Sequence, residues 1–356
     1  FGGLYIPEDG QADPEILTKV IASAAKKEGV KIFEKCKLQK ILKRENQIRG
    51  VKTNLGIINC EYIVLCTGMW SRQIGEAAGV SIPLYPNEHF YMITENYKNL
   101  PKNLPTFRDP DTYLYIREYH KKIMIGIFEP NAKNAFRKKG VVPDSFSFGE
   151  FKVNKEYMKM LHNLAAKRIP SIKDLKIEKY FSGPESFTPD SNFLLGETAE
   201  VKNFYVCCGF NSIGIGSGGG AGKAIAELMI RGHNNQDLFS LDIKRFEKFN
   251  SSINFIQKRA TETLGNVFKI HWPYKQLNTS RNIKLLPYHN KLKKLGACFG
   301  QIAGYERPMW FSKNQKPIYK YSYGYQNWYK SAEKECLNTL SLIHISDPTL
   351  LTPIAY

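Results

Sequence analysis

Apolar and polar positions follow three distinct patterns along the chain. Apolar residues recur at helical spacing after Asp13-Pro14, an N-cap followed by a first-turn proline, and again over 157–167. Short apolar runs separated by turn residues over 38–58 predict a small antiparallel meander. Continuous apolar runs at 62–66 and 204–208 are typical of strands buried on both faces, as in a parallel sheet. The pattern therefore predicts an α/β fold.

Other apolar runs add to this picture. The run at 30–33, after the first predicted helix, predicts a further strand. Between 81 and 169 several strand-like runs, including 90–93 and 123–128, predict a second, largely antiparallel layer with long loops.

The composition excludes several classes of protein. The chain has 356 residues, 42% of them hydrophobic, and no apolar run reaches the roughly 18 residues of a transmembrane helix. The net charge of +18 comes mainly from scattered lysines, whereas a nucleic-acid surface favours clustered arginines. The seven cysteines include no CxxC pair, so we expect no metal site and a reducing compartment. We predict neither a nucleic-acid partner nor a membrane span.

The most unusual stretch is 209–222, which holds seven glycines in fourteen residues before and within a predicted helix over 218–229. So many glycines cost chain entropy, which indicates that something approaches the backbone closely. The N-terminus of a helix presents free N–H groups to a phosphate or to the electron-rich edge of a flavin. Tight packing of the helix on the sheet is the alternative. The spacing matches neither a P-loop nor the dinucleotide GxGxxG pattern.

Several segments resemble the FAD-dependent sarcosine and dimethylglycine dehydrogenase family. The stretch VLCTGMW at 64–70 is similar to the strand end that lies beside flavin in this superfamily, and GPESFTPD at 183–190 together with 209–222 is the most specific match. Further similar segments, in chain order, are GGLYIPEDGQADP (2–14), PNEHFY (86–91), YLYIR (113–117), GIFEP (126–130), HWPY (271–274), GYERP (304–308) and YGYQNW (323–328).

The resemblance implies an incomplete FAD-binding three-layer Rossmann-like domain with an inserted antiparallel substrate domain, followed by a linker domain. The implied boundaries are 1–80 and 181–235 for the FAD-binding domain, 81–180 for the substrate domain, 236–311 for the linker domain and 312–338 for the start of an aminomethyltransferase-like folate domain. Residues 339–356 resemble a translated sequencing adapter, so we expect a non-native tail with few buried contacts; an ordinary divergent strand is the alternative.

The chemistry implied by the resemblance is oxidative demethylation. FAD takes a hydride from an N-methyl carbon of sarcosine or dimethylglycine, tetrahydrofolate on the C-terminal domain captures the one-carbon unit, and an electron-transfer flavoprotein removes the electrons. The family's location is the mitochondrial matrix. Its GxGxxG fingerprint and its flavin-linking histidine lie upstream of this sequence, so we expect the chain as it stands to bind FAD weakly and to lack dehydrogenase turnover.

The resemblance also supplies candidate site residues. His89, Glu185, Tyr115 and Arg117 are expected to line the substrate site, with Arg117 holding a substrate carboxylate. The candidate cofactor residues are Thr67, Gly68, Trp70, Gly209, Asn211, Gly214, Ile215, Gly216, Ser217 and Gly218. For each polar residue the alternative is a structural hydrogen bond or a surface charge, and for Trp70 it is core packing.

Two other functions stay open at this point. The regulatory subunit of pyruvate dehydrogenase phosphatase, which is not catalytic, resembles the family over the same length. Fold-level resemblance cannot separate a catalytic protein from a regulatory one. A simple binding module for an anionic ligand at the glycine-rich turn is the third reading.

The superfamily's sheet order gives a geometric prediction. Strands 62–66 and 204–208 should pair in parallel, and strand 30–33 should lie at the far edge of the sheet. A slot about two strands wide, roughly 10–15 Å, should separate 30–33 from 62–66. The glycine-rich turn should open onto the Thr67-Gly68 end of this slot, because flavin would lie across it.

Overall fold

The computed structural model describes residues 2–137, 140–269, 275–302, 304–312 and 315–346. Contacts divide the chain into two compact units, 1–270 and 271–356. This boundary falls inside 236–311, whose assignment to one linker domain stays a prediction, as do the other domain boundaries. The segment 271–274, which the resemblance used, lies outside the described residues.

Helices occur in both units, and two of them, the first and the third α-helix, begin at a residue whose side chain caps the helix. The side chain of Asp13 accepts hydrogen bonds from the N–H groups of Glu15 and Ile16, and Pro14 opens the first helix as predicted. The helices are α1 (Pro14–Lys27), α2 (Ser71–Ala77), α3 (Lys155–Arg168), α4 (Gly214–Arg231), α5 (Ile253–Leu264), α6 (His289–Lys294) and α7 (Tyr329–Ser346).

Strands form four separate sheets. They are β1 (Leu38–Arg44), β2 (Gln47–Thr53), β3 (Gly56–Asn59), β4 (Ile63–Leu65), β5 (Tyr85–Thr94), β6 (Phe107–Asp109), β7 (Leu114–Tyr119), β8 (Lys122–Ile127), β9 (Ile177–Phe187), β10 (Leu194–Glu197), β11 (Phe204–Cys208), β12 (Lys284–Leu285), β13 (Ala297–Ile302) and β14 (Tyr305–Phe311). The first three form the predicted antiparallel meander.

The central sheet of the first unit has the order β10-β11-β4. β11 pairs with β4 in parallel, with Phe204 opposite Ile63 and Val206 opposite Leu65, which confirms the predicted pairing. Alternate residues of both strands enter two different cores. Leu65 and Val206 join one core with the meander, and the other face of the sheet packs against α4. Burial on both faces explains the continuous apolar runs in the sequence.

The prediction of a strand at 30–33 is wrong. These residues are irregular in the structure, and Val30 and Phe33 are exposed. The reason is the lack of a neighbour: among the described residues β4 pairs only with β11, so its second edge offers no adjacent strand to this segment. A lone strand leaves its backbone groups without partners and is not stable in water. The width of the predicted slot stays a prediction.

The second layer is a five-stranded antiparallel sheet of order β6-β7-β8-β5-β9. It confirms the predicted antiparallel layer. One face of this sheet is covered by α3, whose Met158, Leu161 and Ala165 are buried in a core with Phe90 and Ile125. The opposite face carries the polar side chains considered below.

Helix α4 begins at Gly214, four residues before the predicted start at Gly218. The stretch that we predicted as a loop up to 217 therefore contributes the first turn of the helix. Glycine is a poor helix former, so the helix depends on tertiary packing. Ala221, Ala224 and Ile225 supply it, because they are buried against the central sheet.

The second unit contains the sheet β12-β14-β13 and two helices. Its buried Glu306 accepts a hydrogen bond of 2.8 Å from Nε of Arg281. α7 extends through the start of the predicted tail, so 339–346 is helical and the strand alternative is wrong for these residues. Residues 339–342 are exposed, and 347–356 lie outside the described residues. Among the described residues no helix combines the length and apolar character needed to cross a bilayer.

Arg245 fixes the loop that follows β9. Its guanidinium donates to both carboxylate oxygens of Asp190, at 2.8 and 3.1 Å, and to the carbonyl of Asn192 at 2.8 Å. Only 9% of the arginine side chain is exposed. The loop is thereby held against the helical segment around 243, at the end of the strand that carries Glu185.

We predict that Arg245→Ala lowers the free energy of unfolding of the first unit by about 2–3 kcal/mol, because it leaves a carboxylate and buried carbonyls unpaired. Urea titration followed by tryptophan fluorescence measures this change. Arg44→Ala is the control, since the Arg44 side chain is 79% exposed in its pair with Glu45. Equal effects of the two substitutions would contradict the prediction.

Candidate functional site

A cavity of about 480 Å³ opens on the face of the five-stranded sheet that α3 does not cover. His89, Tyr115, Arg117 and Glu185, the four residues expected to line a substrate site, all line this cavity. They come from three strands, β5, β7 and β9, that are neighbours or near neighbours in one sheet. The sheet register thus brings together residues that are up to 96 positions apart in the sequence.

His89 and Tyr115 form a hydrogen-bonded pair at the base of the cavity. Nε2 of His89 lies 2.9 Å from the hydroxyl oxygen of Tyr115, and the His89 ring lies 4.6 Å from that of Phe128. Gly126 on β8 makes this placement possible. A Cβ at Gly126 would lie 2.0 Å from a ring atom of Tyr115, so any side chain there would displace the tyrosine.

Burial keeps this pair uncharged. It lowers the pKa of His89, and the negative charge of Glu185 opposes that shift only in part. It also raises the pKa of Tyr115, so the phenol keeps its proton. The base of the cavity therefore presents a neutral imidazole and a neutral phenol near neutral pH.

Glu185 carries the one acidic charge among the residues that line this cavity. The hydroxyl of Ser212 donates a hydrogen bond to Oε1 of Glu185. Oε2 is buried and has no hydrogen-bond partner among the described residues. A buried carboxylate oxygen without a donor is costly, which marks it as the place where a ligand's N–H group or positive charge would bind.

The two arginines of the cavity differ in their contacts. Nη1 of Arg117 donates to Oε1 of Gln11 at 3.2 Å, and its guanidinium lies over the ring of Tyr119. Arg108 lies over the rings of Tyr115 and Phe268, at 5.1 and 4.6 Å, and its guanidinium forms no hydrogen bond or ion pair within the described part of the chain. Arg108 therefore has its donors available to a ligand, whereas Arg117 is already engaged.

Sequence reasoning missed Arg108. It stands on the short strand β6, directly opposite Tyr115 on β7. A signal was present, because Phe107 and Arg108 precede the Tyr-rich strand by a turn containing Asp109 and Asp111. A three-residue strand is too short to show the alternation that predicts pairing.

Two further cavities lie along α4. One of about 510 Å³ shares Glu185, Ser212 and Ile215 with the first cavity and reaches the side of α1. The other, of about 420 Å³, is lined by Cys66 and Gly68 at the end of β4 and by Gly218 and Gly222 of α4. The glycine-rich helix thus opens onto the end of β4 as predicted.

The glycines of α4 leave an open surface. A Cβ added to any of a set of five would meet nothing within 4 Å: Gly216, Gly218, Gly219, Gly220 and Gly222. Tight packing on the sheet therefore does not explain them, and that alternative is wrong for these positions. No side chain caps the N-terminus of this helix, so its first N–H groups lack that partner.

The predicted cofactor residues divide into two groups. Those that line the cavities along α4 are Gly68, Gly209, Asn211, Gly214, Ile215 and Gly218. Thr67, Trp70, Gly216 and Ser217 do not line them.

Side chains in both groups hold local structure. The hydroxyl of Thr67 bonds that of Ser71 at 3.0 Å, and Nε1 of Trp70 donates to the carbonyl of Pro143 at 3.4 Å. The buried amide of Asn211 bonds Thr188 and the carbonyl of Gly209. These bonds shape the turns at the ends of β4 and β11. The cofactor role of all ten residues stays a prediction.

Family comparisons agree with this architecture. Residues 1–228 match the family described as FAD dependent oxidoreductase, and residues 231–285 match the FAD dependent oxidoreductase central domain. Among solved structures, L-proline dehydrogenase from P. horikoshii superposes with a TM-score of 0.58 at 29% identity, covering 67% of this chain and 61% of that one. The mixed fold predicted from the sequence is confirmed.

Three curated proteins illustrate the similarity. The chain is 35% identical over 335 residues to 4-methylaminobutanoate oxidase (formaldehyde-forming) of Paenarthrobacter nicotinovorans, covering 94% of the chain and 40% of that protein. It is 32% identical to mitochondrial sarcosine dehydrogenase of Homo sapiens, with coverages of 91% and 35%. It is also 32% identical to the mitochondrial pyruvate dehydrogenase phosphatase regulatory subunit of Mus musculus, with coverages of 89% and 36%. The chain thus spans well under half the length of these relatives.

We predict that Gly218→Val weakens flavin binding by the chain at least tenfold, because the new side chain would fill the open face of α4. Quenching of FAD fluorescence during titration measures the dissociation constant. Ala226→Val on the exposed side of the same helix is the matched control, since it introduces the same β-branched residue away from the cavities. Equal weakening by both variants would indicate a loss of helix stability and would contradict the prediction.

Proposed function

The chain belongs to the FAD dependent oxidoreductase family, and on that premise we propose that it contributes the substrate site of an enzyme that oxidises N-methyl amines bearing a carboxylate. The observation that carries the proposal is the unpartnered, buried Oε2 of Glu185 in a cavity that also holds the guanidinium of Arg108. Sarcosine, dimethylglycine and 4-methylaminobutanoate are the substrates that the names of the relatives suggest.

Glu185 would bind the amine. A secondary amine arrives mainly as its ammonium form at neutral pH, and a carboxylate oxygen without a donor satisfies both the charge and the N–H group. Ser212 holds the carboxylate through its other oxygen, which fixes the direction of the free one. The neutral His89–Tyr115 pair adds no positive charge that would repel the ammonium group.

Arg108 would bind the carboxylate of the substrate. Guanidinium groups recognise carboxylates through two parallel hydrogen bonds, and stacking on two rings limits the rotation of this one. Arg108 lies over the ring of Tyr115, whose hydroxyl contacts His89, and all three line the cavity that Glu185 also lines. This replaces the earlier assignment of the carboxylate to Arg117.

Aromatic walls would accommodate the N-methyl group. Phe128, Phe181 and Phe268 line the same cavity. Their rings exclude water from the carbon that loses the hydride, and ring faces also attract the cationic amine.

The residues along α4 fit a flavin. Five glycines leave an open cradle, the helix N-terminus lacks a side-chain cap, and this surface adjoins the cavity of Glu185 through Ser212 and Ile215. FAD, when bound there, supplies the acceptor for the hydride that leaves the N-methyl carbon. The backbones of Gly214, Gly218 and Gly219 would hold it, and Gly68 would allow its close approach.

The wider reaction of a longer protein is part of the same proposal. Release of a one-carbon unit to tetrahydrofolate and transfer of electrons to an electron-transfer flavoprotein would follow the oxidation. Relatives in mitochondria support a mitochondrial location, although the bacterial relative at 35% identity lies outside that setting.

A non-catalytic regulatory subunit is the alternative, since a relative of that kind is as similar as sarcosine dehydrogenase. The unpaired oxygen of Glu185 favours a catalytic protein. A buried carboxylate oxygen without a partner is costly, and binding of a substrate would satisfy it.

We predict that Glu185→Gln and Arg108→Gln each weaken binding of sarcosine to the chain by about 10- to 100-fold, because each removes a charged hydrogen-bond partner worth roughly 1.5–3 kcal/mol. NMR titration of the ligand gives the dissociation constants without requiring turnover. Arg108→Gln should leave the affinity for the carboxylate-free N-methylethylamine unchanged, whereas Glu185→Gln should weaken both ligands.

Arg44→Gln is the control for removal of a positive charge, since Arg44 lies on an exposed strand end. Unchanged affinity for sarcosine in both Glu185→Gln and Arg108→Gln would contradict the proposed function.

A further inference from the structure

Two cysteines lie side by side at the carboxyl ends of the parallel strands. Leu65 on β4 is the register partner of Val206 on β11, so the next residues, Cys66 and Cys207, are laterally adjacent. Neighbouring strands are about 4.8 Å apart. This spacing falls within the Cα separation of roughly 4.4–6.8 Å that a disulfide spans.

Both side chains point to the same face of the sheet. Val64 and Tyr205 pack on the α4 side, and side chains alternate along a strand, so Cys66 and Cys207 face α4 as well. The two thiols share a hydrogen bond. Both line the cavity of about 420 Å³ that is bounded on the other side by Gly218 and Gly222. Since neither glycine has a side chain, a small reagent can reach the pair.

The two thiols are not equivalent. The hydrogen bond with Cys207 lowers the pKa of Cys66, which is exposed, whereas the same bond and burial raise the pKa of Cys207. The thiolate is the reactive form of cysteine, so Cys66 is the residue that an electrophile meets first. Cys208 faces the opposite core, and burial raises its pKa to about 12.

We propose that Cys66 and Cys207 form a dithiol that hydroperoxides oxidise to an intramolecular disulfide. In the first step the Cys66 thiolate attacks the hydroperoxide, the O–O bond breaks, and the sulfur becomes a sulfenic acid while the alcohol or water leaves. In the second step the Cys207 thiol attacks the sulfenic sulfur, the S–S bond forms and water leaves. The two thiols give up two electrons and two protons, and the hydroperoxide is reduced.

The disulfide would join β4 to β11 at the edge of the cavity of about 420 Å³ beside α4. Pairing of the preceding residues keeps the two cysteines on adjacent strands, so the bond requires no change in strand register. The bond replaces two thiols that line the same cavity as Gly68 with a fixed bridge that has no S–H donor. A molecule bound along the glycine face would cover the pair and slow its oxidation, and this inference does not depend on which amine binds at Glu185.

Mass spectrometry after brief treatment of the folded chain with hydrogen peroxide tests the proposal. Trypsin leaves Cys66 with Cys60 in one peptide and Cys207 with Cys208 in another. We expect these two peptides to become linked, with fragment ions that assign the bond to Cys66 and Cys207. Reduction with dithiothreitol should release them.

Variants separate the roles of the two thiols. Cys66→Ser should abolish the linked species, and Cys207→Ser should leave a sulfenic acid on Cys66 that dimedone captures. Cys60→Ser is the matched control, because it alters a half-buried cysteine of the same peptide and should leave the link intact. A link through Cys60 or Cys208, or failure of dimedone to label Cys66 in Cys207→Ser, would overturn the proposal.

Discussion

The parallel pairing of β4 with β11 is the constraint on which the first unit depends. Ile63 and Phe204 are opposite each other although 141 positions separate them. Their backbone bonds close a loop that contains the whole five-stranded sheet. α4 follows β11, and Ser212 in the turn between them donates a hydrogen bond to Glu185 on β9. The cavity that contains Glu185 adjoins the glycine-rich surface of α4 because β4 and β11 pair in register.

The charges of the site depend on which groups the sheet buries. Burial keeps His89 and Tyr115 neutral, and within the described part of the chain the carboxylate of Glu185 forms no ion pair. The guanidinium of Arg108 lies over the ring of Tyr115 and forms no ion pair with Glu185. A carboxylate and a guanidinium that line one cavity without pairing favour a dipolar ligand over an uncharged one.

The pattern of apolar and polar residues was sufficient to predict much of the fold and part of the site. The continuous runs at 62–66 and 204–208 identified buried parallel strands because burial on both faces removes polar positions. The run at 30–33 is also rich in apolar residues, but it has no neighbouring strand within the described ranges. Pairing depends on two segments, so no single segment encodes it. Arg108 was missed for the same reason, since its importance comes from its position across from Tyr115 on another strand. His89, Tyr115 and Glu185 were found through resemblance, and periodicity alone would have placed them only on strands.

Helix α1 lines one side of the cavity of about 510 Å³ although the helix itself is exposed. Pro14, Leu17 and Ile21 border the cavity that leads to α4, yet no residue of this helix is buried. Its amide protons are therefore expected to exchange with solvent far sooner than those of β5 and β9, where the ladder is long and covered. An occupant of the cavity would bury Leu17 and Ile21 and slow that exchange. The affinity measured for such an occupant would then include the free energy of ordering a helix, and hydrogen exchange in α1 would report occupancy at a distance from the bound atoms.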